Sequence, residues 1–260
     1  MQAFFISTKA TEHVQKSMSF KQAVKAFPNV VHQPGVAGHT INITDDTIVH
    51  QLARYQINNP DLAGNESIYA LPSMGALGCF LAHVKCWEAC ANSKESVCVI
   101  EEDYVIPQNR EQFVASAIQH VPDDAVFASL AYIRAGQTYN HDNLYDRMLG
   151  PDWGGTQMYW IAPTGAQLLL KHALPIWTQV DLYIGIQAYL ADSFKAYVLK
   201  ERLYPILNVV IDNAFSQVQS FAIKKYLPRN NKFYIILIVV LIYLLCDFAW
   251  RFKWWPLTNK

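Results

Sequence analysis

The stretch Val97-Cys98-Val99-Ile100-Glu101-Glu102-Asp103 decides the fold. Its first four residues are apolar, and Val97, Val99 and Ile100 are β-branched. A short apolar run of this kind, bounded by polar residues, reads as a strand buried on both faces. It leads directly into three acids. Ligands of open α/β sheets bind beyond the carboxyl ends of the strands, so the acids stand where a site is expected. Alternate residues leaving a strand point the same way. Glu101 and Asp103 are therefore expected on one side, where two carboxylates can hold a hard divalent cation, Mn2+ or Mg2+. A solvated acidic turn fits the same three residues, and spacing alone does not separate the two readings.

Working outward, Leu77, Phe80, Leu81, Val84 and Trp87 recur at three- and four-residue spacing. They predict a helix with Ser73 as its N-cap and an end near Asn92-Ser93. Residues 3–7 predict a first strand, 10–26 a helix, and Asn29–His32 a short strand. Pro34–Gly38 reads as a loop. A helix is predicted over 45–56, capped by Thr44 or Asp45, with a loop over 57–70. Further strands are predicted at Val126–Ile133, Gln157–Ile161 and Ala196–Leu199, with helices at Thr164–His172 and Leu182–Leu190. Strands alternating with helices imply an α/β architecture with a mostly parallel sheet.

The chain has 260 residues, of which 52% are hydrophobic, and 21 basic groups balance 21 acids. That neutrality argues against nucleic acid as a partner, because phosphate binding leaves a basic excess. The balance is uneven along the chain. Residues 221–260 carry seven Lys and Arg with Asp247 as their acid, so residues 1–220 hold 14 basic and 20 acidic groups. The first residues lack a basic start and a long apolar run, and no leader peptide is expected there. The five cysteines form no C-x-x-C pair, which suggests free thiols rather than a disulfide framework or structural zinc. Residues 233–250 are apolar apart from Asp247. Lys224, Lys225, Arg229 and Lys232 precede them, and Arg251, Lys253, Trp254 and Trp255 follow. A run of this length is near the lower limit of about 17–25 residues for a spanning helix. A buried core helix is the alternative, but basic and aromatic flanks favour a membrane anchor. The expected organisation is a body at 1–220, a basic linker at 221–232, a C-terminal transmembrane helix at 233–250 and a short tail at 251–260. This arrangement predicts a single-pass anchor with the body on the cytosolic side.

The segment Met74-Gly75-Ala76-Leu77-Gly78-Cys79-Phe80-Leu81-Ala82-His83-Val84-Lys85-Cys86-Trp87, followed by Ile100-Glu101-Glu102-Asp103, resembles glycosyltransferase family 25. That family includes lipooligosaccharide and collagen galactosyltransferases. Its pattern is roughly G-E-[IL]-G-C-x-x-S-H-x-x-x-[WL], then a strand ending L-E-D-D. Gly75, Leu77, Gly78, Cys79, His83 and Trp87 match. Phe5–Lys9 is similar to the family's opening strand, and Val36-Ala37-Gly38 to a shortened A-x-D-G loop. Gly155-Thr156-Gln157-Met158-Tyr159, with Gly165-Ala166 and Leu168-Leu169, resembles its G-T-x-x-Y…G-A-x-x-L-L segment, and Val180-Asp181 its V-D step. Pro205 to Ser216 is loosely similar to its closing segment. Ala76 and Ala82 replace the family's glutamate and serine, Glu102 replaces an aspartate, and Thr11-Glu12-His13 stands where an arginine is usual.

The resemblance implies a Rossmann-like nucleotide-diphospho-sugar transferase fold of the GT-A type. It implies a hexosyltransferase that moves galactose or glucose from a uridine-diphosphate donor to a hydroxyl on a glycan, glycolipid or glycoprotein. Glu101 and Asp103 would bind the metal. Gly38, His83, Gly155, Thr156 and Tyr159 would lie at the substrates. Thr8 and Lys9, just after the first strand, fit either nucleotide contacts or plain surface. His83 fits a hydrogen-bonded core histidine as well as a site residue. Asp181 fits a helix N-cap and also a general base for the acceptor hydroxyl. Trp153 in the loop 153–156 could stack on a sugar or sit in an ordinary turn. The motif departures support a rival reading, a membrane-tethered binding or assembly module without turnover.

Overall fold

A computed structural model of the protein describes residues 1–59, 73–106, 108–131, 136–151 and 153–200. The predicted linker, anchor and tail, the closing segment from Pro205, and most of the predicted 57–70 loop lie outside the described residues. Among the described residues no helix is long and apolar enough to cross a membrane.

Strand β3 (Val97–Glu101) lies in an eight-stranded sheet of the described residues. The order is β2 (Val30–Pro34), β1 (Gln2–Ser7), β3, β7 (Met158–Ile161), β4 (Phe127–Ala131), β8 (Ala196–Leu199), β6 (Tyr145–Met148) and β5 (Thr138–Asn140). The sheet is mixed, which corrects the mostly parallel expectation. β1 pairs parallel with β2 and β3, and β4 with β8. β7 runs antiparallel between β3 and β4, and β6 antiparallel between β8 and β5. The reversal of β7 has a local consequence. Its first residues lie beside the last residues of β3, with Ile100 opposite Met158.

Apolar side chains leave both faces of the sheet. Phe4, Ile6, Val97, Val99, Tyr159 and Ile161 face one core, and Ala3, Phe5, Cys98, Ile100 and Met158 the other. Helix α4 (Met74–Ala91), with α3 (Gln51–Asn58), α6 (Pro163–Leu170) and α7 (Val180–Leu190), covers the first face through residues such as Leu77, Trp87, Leu169 and Tyr183. Helices α1 (Thr11–Lys16), α2 (Met18–Ala26) and α5 (Glu111–Gln119) cover the second through Val14, Ala23, Val114 and Ala117. Burial on both faces explains the unbroken apolar run in β3, since each such side chain contributes about 1.5–3 kcal/mol.

Ser73 caps α4 as predicted, its Oγ accepting from the Ala76 N–H at 3.1 Å. The helix predicted over 10–26 is instead two. Ser17 is extended, at φ −68° and ψ 150°, and its Oγ accepts from the Phe20 N–H at 3.2 Å, so a cap starts a new helix there. The helix predicted over 45–56 begins only at Gln51. Asp45 accepts from the Thr47 N–H at 2.9 Å in a tight turn, and the His50 N–H bonds the Ile176 carbonyl at 2.9 Å. His50, not Thr44 or Asp45, caps α3 through Nδ1. β2 runs on to Pro34, which an edge strand tolerates.

Candidate active site

Glu101 ends β3, and a turn begins at Glu102, so strand alternation does not continue into the acids. The chain closes back with the Tyr104 N–H on the Glu101 carbonyl at 3.1 Å. Glu102 swings toward β1. Its Oε2 accepts from the Ser7 hydroxyl and lies 3.4 Å from Lys9 Nζ. Glu101 and Asp103 remain electrostatic neighbours inside the fold.

A chain of side chains holds Glu101 from behind. Trp87 Nε1–H donates to the Tyr159 hydroxyl at 2.9 Å. Tyr159 lies 2.9 Å from His83 Nδ1, and His83 Nε2 lies 3.1 Å from Glu101 Oε1. The indole can only donate, so Tyr159 has its own proton free for Nδ1. His83 then carries its proton on Nε2 and donates it to the carboxylate. The Thr156 hydroxyl donates to the same Oε1. Burial alone would raise the Glu101 pKa, but His83 and Thr156 outweigh it and hold the carboxyl below its ordinary value. The five members come from three elements: α4 gives His83 and Trp87, β3 gives Glu101, and the reversed β7 with its entry gives Tyr159 and Thr156. His83 and Tyr159 are fully buried, and both reach the Glu101 carboxylate from behind.

Asp103 contrasts with Glu101. Burial, followed by the charge of Glu101, pushes its pKa up to about 7. Its Oδ1 is buried without a hydrogen-bond partner. Asp181 stands in the first turn of α7, whose N-cap is Gln179, so the cap expectation is corrected by two positions. Its Oδ1 accepts from the Leu182 N–H at 2.8 Å and its Oδ2 from the Gly155 N–H at 3.3 Å. Gly155 has φ 113°, a left-handed conformation that only glycine adopts readily. Asp181 thus braces the loop that delivers Thr156 to Glu101. Burial, against these backbone bonds, raises its pKa, and the Glu101 charge adds to the rise.

The other candidates fall at the margins. Thr8 and Lys9 are exposed at the end of β1. Gly38 packs against the start of α4, where a Cβ would lie 2.0 Å from the Met74 carbonyl oxygen. Trp153 is buried, edge-on to Phe127 with centroids 5.6 Å apart, so its ring is core and not a sugar platform.

Sequence reasoning left Cys79 as a motif match without a role. It is half-buried, and its sulfur, a His83 ring nitrogen and a Glu101 oxygen all lie within 4.8 Å of one another. Burial, with the charges of Glu101, Asp181 and Asp103, pushes its thiol pKa well up. The available signal was the four-residue spacing of Cys79 and His83, which puts both on one helix face. The link from Glu102 to Ser7 had no such signal, since it depends on the β1–β3 register.

The family model described as "Glycosyltransferase family 25 (LPS biosynthesis protein)" matches residues 53–184. No curated protein matches the chain. Among solved structures it is similar to the UTP-bound UGPase from Acinetobacter baumannii, at 10% identity and a TM-score of 0.40, over 76% of this chain and 85% of that one. The family match covers just over half of the sequence and contains Cys79, His83, Glu101, Asp103, Thr156 and Asp181, and on that span the chain belongs to glycosyltransferase family 25.

Proposed function

We propose that the protein moves a hexose, galactose or glucose, from a uridine-diphosphate donor to a hydroxyl of a glycan, glycolipid or glycoprotein. One observation carries the reading: Asp103, with an unpaired buried oxygen and a raised pKa, stands beside a Glu101 kept ionised by His83 and Thr156. A divalent cation fits this pair. It would give the Asp103 oxygen a partner and offset the repulsion between the two carboxylates. The described bonds to Glu101 all fall on Oε1. Glu101 and Asp103 would hold Mn2+ or Mg2+, which supplies charge neutralisation for a leaving diphosphate. Lys9 and Thr8, at the neighbouring strand end, would meet the nucleotide. Gly38, Gly155 and the Thr156 backbone would shape the floor.

Asp181 is the candidate base. Burial raises its pKa, which makes the carboxylate a stronger proton acceptor, and each oxygen keeps a second lone pair beside its backbone bond. The segment 233–250 would tether this body to a membrane and bring it near lipid-linked acceptors.

The test is a screen of nucleotide sugars for hydrolysis and transfer by the full chain, with and without Mn2+. Metal-dependent turnover that Glu101→Gln and Asp103→Asn each reduce at least about 100-fold is expected, as for loss of a transition-state charge contact. Unchanged turnover in both variants would remove the metal assignment. The second reading, binding without turnover, is favoured by Glu102. It stands where the family has aspartate, and it is engaged by Ser7 and Lys9. Calorimetry with uridine diphosphate separates the two: binding with no hydrolysis of any donor would leave the module. Detachment of the body from membranes on deletion of 221–260 tests the tether.

A further inference from the structure

The site contains a sulfur that hard-cation chemistry does not use. Cys79 and His83 sit one turn apart on α4, and Glu101 faces both from the end of β3. Their three donor atoms lie within 4.8 Å of one another. Tetrahedral zinc, with bonds of about 2.0–2.3 Å, has ligand-to-ligand edges of about 3.3–3.8 Å. One edge is already short, since His83 Nε2 and Glu101 Oε1 are 3.1 Å apart. The edges to the Cys79 sulfur are at most 4.8 Å.

The surroundings suit a cation. The fully buried His83 ring is fixed by Tyr159, and Thr156 orients Glu101. Such partners behind the ligands are what metal sites require. The Tyr159 hydroxyl can serve either ring tautomer. It donates to Nδ1 when Nε2 bonds Glu101, and it can accept from Nδ1–H when Nε2 is a ligand. The nearby carboxylates of Asp103 and Asp181, which push the thiol pKa up, also make a negative field that favours a cation. On coordination the thiol proton goes to solvent and the sulfur pair to the metal. The described cysteines Cys86, Cys90 and Cys98 are buried in the cores and do not join this set.

We propose that Cys79, His83 and Glu101 form a site for a thiophilic divalent cation such as Zn2+. This cation competes with the hard cation for Glu101 and so inhibits sugar transfer. A thiolate with imidazole selects zinc over magnesium or manganese. The binding stands on the three residues alone, whereas the inhibition rests on the transferase reading above.

Co2+ is the probe, titrated into the metal-free, reduced full chain. The expected result is a sulfur-to-cobalt charge-transfer band that saturates at one equivalent, is bleached by Zn2+, and is lost in Cys79→Ser. X-ray absorption at the zinc edge of the loaded wild-type chain should find one sulfur among nitrogen and oxygen neighbours, a measurement that needs no variant to fold. A spectrum with no sulfur neighbour, or a band that survives in Cys79→Ser, overturns the site. In the transferase assay, half-inhibition by Zn2+ should require at least about tenfold more metal in Cys79→Ser than in wild type. Equal sensitivity of the two overturns the competition. A Cys79-dependent band in a chain that transfers no sugar upholds the site and counts against the transferase reading instead.

Discussion

Tyr159 has no solvent exposure, yet its hydroxyl joins Trp87 to His83 and so reaches Glu101. Tyr159→Phe removes one oxygen and leaves a buried indole N–H and an imidazole nitrogen without partners. Each orphaned group costs about 1–3 kcal/mol. Urea unfolding should therefore show a loss of that order, and Mn2+ calorimetry a roughly tenfold weaker site, as when a supporting partner of a ligand is removed. A variant that loses stability but keeps the metal affinity would make the network structural only. At this scale the sequence was partly legible. Glu101 and Asp103 were readable because a strand end and two carboxylates make a site by themselves. The opposite behaviour of the two, one pKa lowered and the other raised, was not readable. It depends on His83 and Thr156 arriving from 18 and 55 residues away. Trp153 stayed open between a turn and a sugar platform, because an aromatic ring beside two glycines gives no hint of the pocket that Phe127 makes for it.

Among elements, α4 is the one on which the site depends most, and its seating is tight. A Cβ on Gly78 would lie 2.2 Å from the Val36 carbonyl oxygen, so Gly78→Ala must push the 36–38 loop or the helix aside. Overpacking of this kind costs about 1–3 kcal/mol. Thermal unfolding should show that loss, whereas Gly154→Ala should stay within about 0.5 kcal/mol of wild type. At Gly154 the nearest atom to an added Cβ is Asp181 Oδ2, an ordinary 3.5 Å away. If Gly78→Ala is as stable as wild type, the loop is not clamped there. The legibility of elements follows the same physics. α4, β3 and β8 were readable because each is long or buried enough to print its period or its apolar run. α5 escaped because, of its nine residues, only Val114 and Ala117 are buried. β5 escaped because Tyr139 and Asn140 are exposed, leaving no alternation, and its pairing rests on an Asp142 turn. The direction of β7 was not readable at all, since a four-residue apolar run is the same in either sense.

At the scale of the molecule, the acids that make a site also strain the fold that carries them. Asp103 has a folded-state pKa near 7, raised first by burial and then by the charge of Glu101. A carboxyl shifted upward binds its proton more tightly in the folded state than in the unfolded chain. Its contribution to stability is therefore complete below about pH 4 and lost as pH rises through about 7. Asp181 is shifted in the same direction. Glu101 is shifted the other way, and its contribution is lost only as pH falls below the usual carboxylate range, outside this window. The metal-free protein should accordingly lose stability between about pH 4 and pH 7, by at most about 1.4 kcal/mol per pH unit through Asp103. The informative quantity is the difference between wild type and Asp103→Asn, which isolates this one carboxyl. That variant has no carboxyl to ionise, and its urea midpoint should fall less steeply with pH. Mn2+ should act in the opposite sense. It binds the ionised pair, so the stabilisation it adds should be larger at about pH 8 than at about pH 5. Parallel pH profiles for wild type and Asp103→Asn would show that Asp103 is already ionised in the folded protein. A gain from Mn2+ independent of pH would show that the cation does not bind through Asp103.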